Sequence, residues 1–99
     1  MRFAVKKQGI RFEWDSQKAL SNFHKHNVRF ETACEAFFDP FVRLVDIEKQ
    51  NKETRETIIG MDQKWKVLCV VYTLRKGGIF RIISARNVTK TERRFYEEL

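Results

Sequence analysis

Proline and glycine are scarce in this chain: Pro40 stands alone and four glycines are spread over 99 residues. That scarcity excludes collagen-like and low-complexity chains and leaves little room for a disordered stretch. Cysteine is equally thin. Cys34 and Cys69 are isolated, without the spacing of a metal site or a disulfide framework. Both fall at apolar positions, which predicts reduced, buried thiols. No apolar run approaches the roughly 18 residues that a membrane helix requires. The opening Met1-Arg2-Phe3-Ala4-Val5-Lys6-Lys7 lacks the apolar stretch of a secretory signal, so a cytoplasmic chain is expected. Histidine is limited to His24 and His26, and with the scattered carboxylates it forms no ligand motif. Neither a metal nor another cofactor is expected.

What remains is apolar and basic. Hydrophobic residues make up 42% and aromatics 13%, and nine phenylalanines supply most of the latter, enough for one core in a single domain spanning 1–99. Twenty Lys and Arg against thirteen Asp and Glu give a net charge of +7, which attracts phosphate polymers or acidic proteins. The excess is concentrated. Arg75, Lys76, Arg81, Arg86, Lys90, Arg93 and Arg94 are opposed only by Glu92, whereas Glu31, Glu35, Asp39, Asp46 and Glu48 outweigh Arg43. A solvated basic surface is the bland reading of such a run. Its cations sit on or beside apolar strands and a helix, which favours a folded basic face.

Phe3 to Val5 and Ile10 to Trp14 alternate around Lys6-Lys7-Gln8-Gly9, predicting strand, turn and strand. Asp15 then caps a helix whose stripe is Ala19, Leu20 and Phe23, and Asn27 suits a left-handed terminus. Phe30, Ala33, Cys34, Phe37 and Phe38 mark a second short helix, stopped at Asp39-Pro40. Strands are predicted at Phe41 to Ile47, Thr57 to Met61, Trp65 to Leu74 and Ile79 to Ala85. Gln50-Asn51-Lys52, Asp62-Gln63-Lys64 and Lys76-Gly77-Gly78 turn between them. Thr89 and Glu92 form a capping box for a last helix reaching Leu99. Trp14 and Trp65 read as core. The expected class is α+β, with an antiparallel sheet meander packed against two N-terminal helices and a C-terminal one.

Several strings along this framework resemble the BrnT family of toxins. They are Phe12-Glu13-Trp14-Asp15 with Lys18 and Asn22, Lys25-His26-Asn27-Val28 with Phe30-Glu31, and Phe38-Asp39-Pro40. Then follow Arg55 with Ile59-Gly60, Val70-Val71-Tyr72-Thr73 with Arg75, and Arg81 through Arg86 with Glu92-Arg93 and Tyr96. The set is collinear over residues 12 to 96. The resemblance implies a RelE-like ribonuclease fold and cytoplasmic toxicity through RNA cleavage. It also implies a BrnA-like antitoxin that dimerises and binds operator DNA, so that DNA contact is indirect. Three departures stand out. Residues 1–9 precede the usual start, as an extension or edge strand; Asn27 replaces a glycine; Thr54 stands where a glutamate usually precedes Arg55, with Glu53 or Glu56 as substitutes.

Cutting RNA without a metal requires a base for the 2′-hydroxyl, cations for the phosphate and an acid for the departing 5′-oxygen. His26, Arg55, Arg81 and Arg86 are the catalytic candidates, and Lys25, Arg75, Tyr72, Arg93 and Tyr96 the RNA-binding ones. His26 has the imidazole nearest neutrality, although a helix-terminal histidine also serves the helix dipole. Strict alternation puts Arg81 and Arg86 on opposite strand faces unless a bulge intervenes. Each arginine has a structural alternative in a pair with Glu13, Glu31 or Glu92. Tyr72 fits a partly buried core tyrosine as well as a base-stacking one. Two other functions remain open: a non-catalytic RNA-binding module, and an interaction domain whose basic face docks an acidic partner. In the toxin reading, the Arg75–Arg94 surface is where the antitoxin is expected.

Overall fold

Asp15 ends one element and starts the next. Its carboxylate accepts from the backbone N–H of Lys18 at 3.0 Å, which satisfies an orphan donor of the first helical turn. The computed structural model describes residues 1–98. Strands β1 (Arg2–Lys7) and β2 (Ile10–Asp15) form the expected hairpin, and Gln8 and Gly9 both take positive φ in its two-residue turn. Helix α1 (Ser16–His26) follows and closes on Asn27, left-handed at φ 57°, whose N–H donates to the Phe23 carbonyl at 2.8 Å. The second helix is half as regular as its pattern predicts. Only Phe30–Ala33 is α-helical (α2), and Cys34–Phe38 tightens into a 3₁₀ turn before Asp39 extends ahead of Pro40.

The remainder is a meander of β3 (Arg43–Gln50), β4 (Glu53–Met61), β5 (Val67–Arg75) and β6 (Ile79–Asn87), closed by helix α3 (Lys90–Glu97). Thr89 and Glu92 make both hydrogen bonds of the capping box. The helix was expected to reach Leu99, which lies outside the described residues. The six strands run in the order β1-β2-β6-β5-β4-β3. Residues 2–7 are thus an edge strand.

Two expectations are overturned. The sheet is mixed rather than antiparallel, because β2 and β6 pair in parallel, Phe12 with Phe80 and Glu13 with Arg81. The helical crossover from β2 carries the chain to the far edge, and three hairpin reversals return β6 beside β2 pointing the same way. Trp65, read as core, is 80% exposed. Asp62 organises the turn there: its Oδ1 accepts from Lys64 N–H at 2.8 Å and Lys66 N–H at 2.9 Å, and its carbonyl accepts from Trp65 N–H at 3.3 Å. Trp65 consequently sits in the turn at φ 69°, and β5 begins two residues later. Trp14 is core, 2% exposed.

Helices α1 and α2, with the 3₁₀ turn, cover one face of the sheet. Phe12, Trp14, Phe30, Ala33, Cys34, Leu68, Val70, Ile82 and Ala85 are buried there. Each large apolar side chain among them contributes about 1.5–3 kcal/mol by leaving water. Gly60 lets the 3₁₀ turn approach, since a Cβ at that position would stand 2.5 Å from the Ala36 carbonyl oxygen. Asn22 extends the sheet where β2 has ended. Its amide donates to the Ala85 carbonyl at 2.8 Å and accepts from Ala85 N–H at 3.1 Å, replacing a strand neighbour. Both cysteines are free and buried, and burial pushes the Cys34 thiol up to about 12. On the other face, α3 covers only one end, packing Tyr96 against Ile59 and Val67.

Candidate functional site

The uncovered part of that second face carries the polar chemistry. Directly paired residues of neighbouring strands share a face. The register therefore sets Glu48, Arg55, Thr73, Arg81 and Glu13 in one row across five strands. Strands lie about 4.8 Å apart, so Arg55 and Arg81 flank Thr73 with their backbones roughly 10 Å from each other. The adjoining row is Thr57, Val71 and Ser84. Arg75 shares the face of Thr73 by alternation.

This row is electrically incomplete. Arg81 Nη1 donates to Glu13 Oε2 at 3.4 Å, and Arg2 Nε stands 4.0 Å from the same oxygen. The Glu13 side chain is 9% exposed, which makes it a carboxylate held inside a cationic setting. Beside it, Arg55 Nε and Thr73 Oγ1 are buried with no hydrogen-bond partner among the described residues.

A β-bulge decides where Arg86 goes. Val71 pairs with Ser84 but Tyr72 pairs with Ile82, so Ile83 is an extra residue on β6. Arg81 and Arg86 consequently oppose Thr73 and Cys69, which are four positions apart on β5 and share a face. The alternation expected of a regular strand is thereby reversed. The two arginines nevertheless remain separate, because roughly 14 Å of β5 lies between those partners. Arg86 is also engaged, with Nη1 and Nη2 donating to the two Glu92 oxygens at 2.8 Å each. Those bonds, with the backbone N–H of Thr89, hold the Glu92 carboxyl down at about 2. Of the three carboxylates named as structural partners for the arginines, Glu13 pairs with Arg81 and Glu92 with Arg86.

The other candidates lie elsewhere. Tyr72 is on the helix-covered face, its ring 4.9 Å from Phe37 and its hydroxyl donating to Glu56 Oε1 at 2.6 Å. Burial and that bond raise its pKa. Glu56 is thereby occupied on the far face, whereas Glu53 shares the face of Arg55 by alternation. Tyr96 is buried under α3, donates to Asp39, and is pushed up to about 12 by burial. Arg93 is exposed on α3, 3.9 Å from Glu97. Lys25 and His26 are exposed at the end of α1, a helix tied by Asn22 to Ala85 on the helix-bearing side. The structure thus brings together Arg55 and Arg81, with Arg75 nearby, and leaves His26, Lys25, Tyr72 and Tyr96 outside their row. Sequence reading missed Glu13 and Thr73 as site residues. Their alternation was visible, but their shared row depends on pairing across β2, β6, β5 and β4.

Residues 14–92 match the family model described as the ribonuclease toxin, BrnT, of a type II toxin-antitoxin system. The chain belongs to the BrnT family. Its fold is also similar to the 1.1 Å crystal structure of the Brucella abortus ribonuclease toxin, BrnT. The two are 20% identical, the match covers 78% of this chain and 94% of that one, and the TM-score is 0.53. A comparison with curated proteins matched nothing. Arg55, Thr73 and Arg81 lie within the BrnT match, and Glu13 lies one residue before it. As a BrnT toxin the chain acts on RNA and pairs with an antitoxin. None of its described helices is long and apolar enough to cross a membrane.

Proposed function

We propose that this BrnT toxin is a metal-independent endoribonuclease of RelE-like fold, cutting RNA on the open face of its sheet. The observation that carries the reading is the Arg55–Thr73–Arg81–Glu13 row, where two half-buried guanidinium groups and two buried, unpartnered donors line the sheet face that α1 and α2 leave open. Guanidinium groups stay charged throughout a reaction and match phosphate oxygens bidentately. Metal independence draws on the donor set, since among the described residues no three His, Cys, Asp or Glu side chains form a ligand group.

In this reading the 2′-oxygen attacks the adjacent phosphorus, the 5′-oxygen departs, and the products are a 2′,3′-cyclic phosphate and a 5′-hydroxyl. The attacking hydroxyl gives its proton to a base of the row, and the leaving 5′-oxygen takes one from water. Arg55 and Arg81 offset the charge that builds on the phosphate. Glu13 is the carboxylate of the row best sited to accept the 2′-hydroxyl proton, because a phosphate that draws Arg81 away leaves its Oε2 exposed to the substrate. Arg75 and Arg93 hold flanking backbone phosphates. Lys25 and His26 contact RNA that reaches the helix-bearing side. Arg86 acts through Glu92, fixing α3 at the border of the face.

The toxin works in the cytoplasm, where cleavage inhibits translation and arrests growth. A BrnA-like antitoxin, dimeric and DNA-binding, neutralises it by covering the basic Arg75–Arg94 surface. The test is incubation of purified toxin with RNA in chelator, with end-group analysis of the fragments. Cyclic phosphate ends that vanish in Arg81→Ala support the reading; RNA binding without fragments would instead make the chain a binding module.

A further inference from the structure

We propose that Thr73 Oγ1 and Arg55 Nε are the two fixed donors of an oxyanion seat, which takes one non-bridging oxygen of an RNA phosphate. The inference rests on the ribonuclease reading and assigns Thr73 a part in it. A buried hydroxyl or guanidinium N–H without an acceptor is costly, and folded proteins retain few of them. Here two occur on directly paired residues of β4 and β5. Such neighbours have Cβ atoms about 4.5–5.5 Å apart, close enough for one acceptor atom to meet both donors.

The surroundings specify an anion. Thr73 is flanked on its other side by Arg81, which already holds a carboxylate oxygen of Glu13 at 3.4 Å. An anionic oxygen therefore has a place in this row, and an RNA phosphodiester offers the same kind of monoanionic acceptor. Thr73 is 1% exposed and β-branched, so its stiff χ1 sets where Oγ1 sits, and in this proposal a phosphate reaches it once Arg81 has been drawn aside. Fixed donors of this kind act most strongly where charge grows during reaction, with no reorganisation required. The structural alternative is that Thr73 merely fills a valine-shaped space in a strand. The two readings predict opposite results for one substitution.

Thr73→Val keeps the shape and removes the donor, and Thr73→Ser keeps the donor. Thr73→Val is expected to melt at or above the wild-type temperature, because it loses an unpartnered buried hydroxyl. Its kcat for RNA cleavage should fall about tenfold to a hundredfold with a smaller change in KM, and Thr73→Ser should recover most of the loss. In the wild type, inorganic phosphate should shift the backbone amide resonances of Arg55 and Thr73, and Thr73→Val should weaken that binding about tenfold. Thr73→Val with wild-type kcat, or phosphate that perturbs neither amide, would overturn the seat. A wild type that binds phosphate through Thr73 yet never cuts RNA would uphold the seat and sink the ribonuclease reading.

Discussion

Arg86 and Glu92 meet through two parallel hydrogen bonds of 2.8 Å, and the same carboxylate accepts from the Thr89 backbone at 2.9 Å. One side chain thus caps α3 and fastens it to β6. Glu92 is held at about 2, below its ordinary value of 4.5, first by the Arg86 hydrogen bonds. A lowered carboxyl pKa contributes stability that is complete above the ordinary value and is lost as pH falls from 4.5 toward about 2. Melting temperature followed through that window should drop less steeply in Glu92→Gln than in wild type. Parallel acid profiles would remove this pair from the account.

Arg86→Ala leaves Glu92 without its bidentate partner and is expected to destabilise the fold by about 1–3 kcal/mol. Denaturant unfolding of Arg86→Ala, Glu92→Gln and the double variant gives the coupling between the two sites. Additive losses would mean that the pair contributes nothing jointly.

Arg81→Lys tests the shape of the cation apart from its charge. A lysine retains the charge but not the planar fork, and kcat is expected to fall about a hundredfold or more. Folding should be preserved, because Glu13 keeps a cation beside it. Wild-type cleavage by this variant would mean that charge alone suffices at the row.

Asn22→Ala removes the side chain that stands in for a strand beside Ala85 and also bonds the Val28 carbonyl at 3.1 Å. It strands buried backbone groups, and a loss of about 2–4 kcal/mol is expected from chemical denaturation. A change below about 0.5 kcal/mol would mean that water replaces the amide without penalty.

Trp65→Gly should be close to neutral, since an exposed tryptophan at positive φ gives up local strain when glycine replaces it. A buried tryptophan would lose about 3–5 kcal/mol on truncation. Thermal melts separate these outcomes directly.

Much of this architecture was legible because its signals are local. Asp15, Asn27 and the Thr89–Glu92 box announce helix ends within four residues, and Gly9 and Gly77 mark hairpins by the backbone angles they permit. What escaped is non-local. The parallel pairing of β2 with β6 depends on where a crossover delivers the chain, and no residue near either strand encodes it. The bulge at Ile83 lies in an apolar run with no glycine to flag it. Trp65 misled because its aromatic character fits a strand, whereas the Asp62 carboxylate claims the backbone around it. The candidate row was half visible: Arg55 and Arg81 stood out by charge, but Thr73 acquires meaning only from its neighbours across the sheet.

The contact between Glu13 and Arg81 joins residues 68 positions apart. Because β6 is the last strand in chain order among the described residues and slots between β2 and β5, Arg81 joins the proposed row only after every other member has been synthesised. Loop closure over such a span also slows assembly. If Arg81 is required as proposed, fragments ending before β6 are expected to be innocuous without any antitoxin.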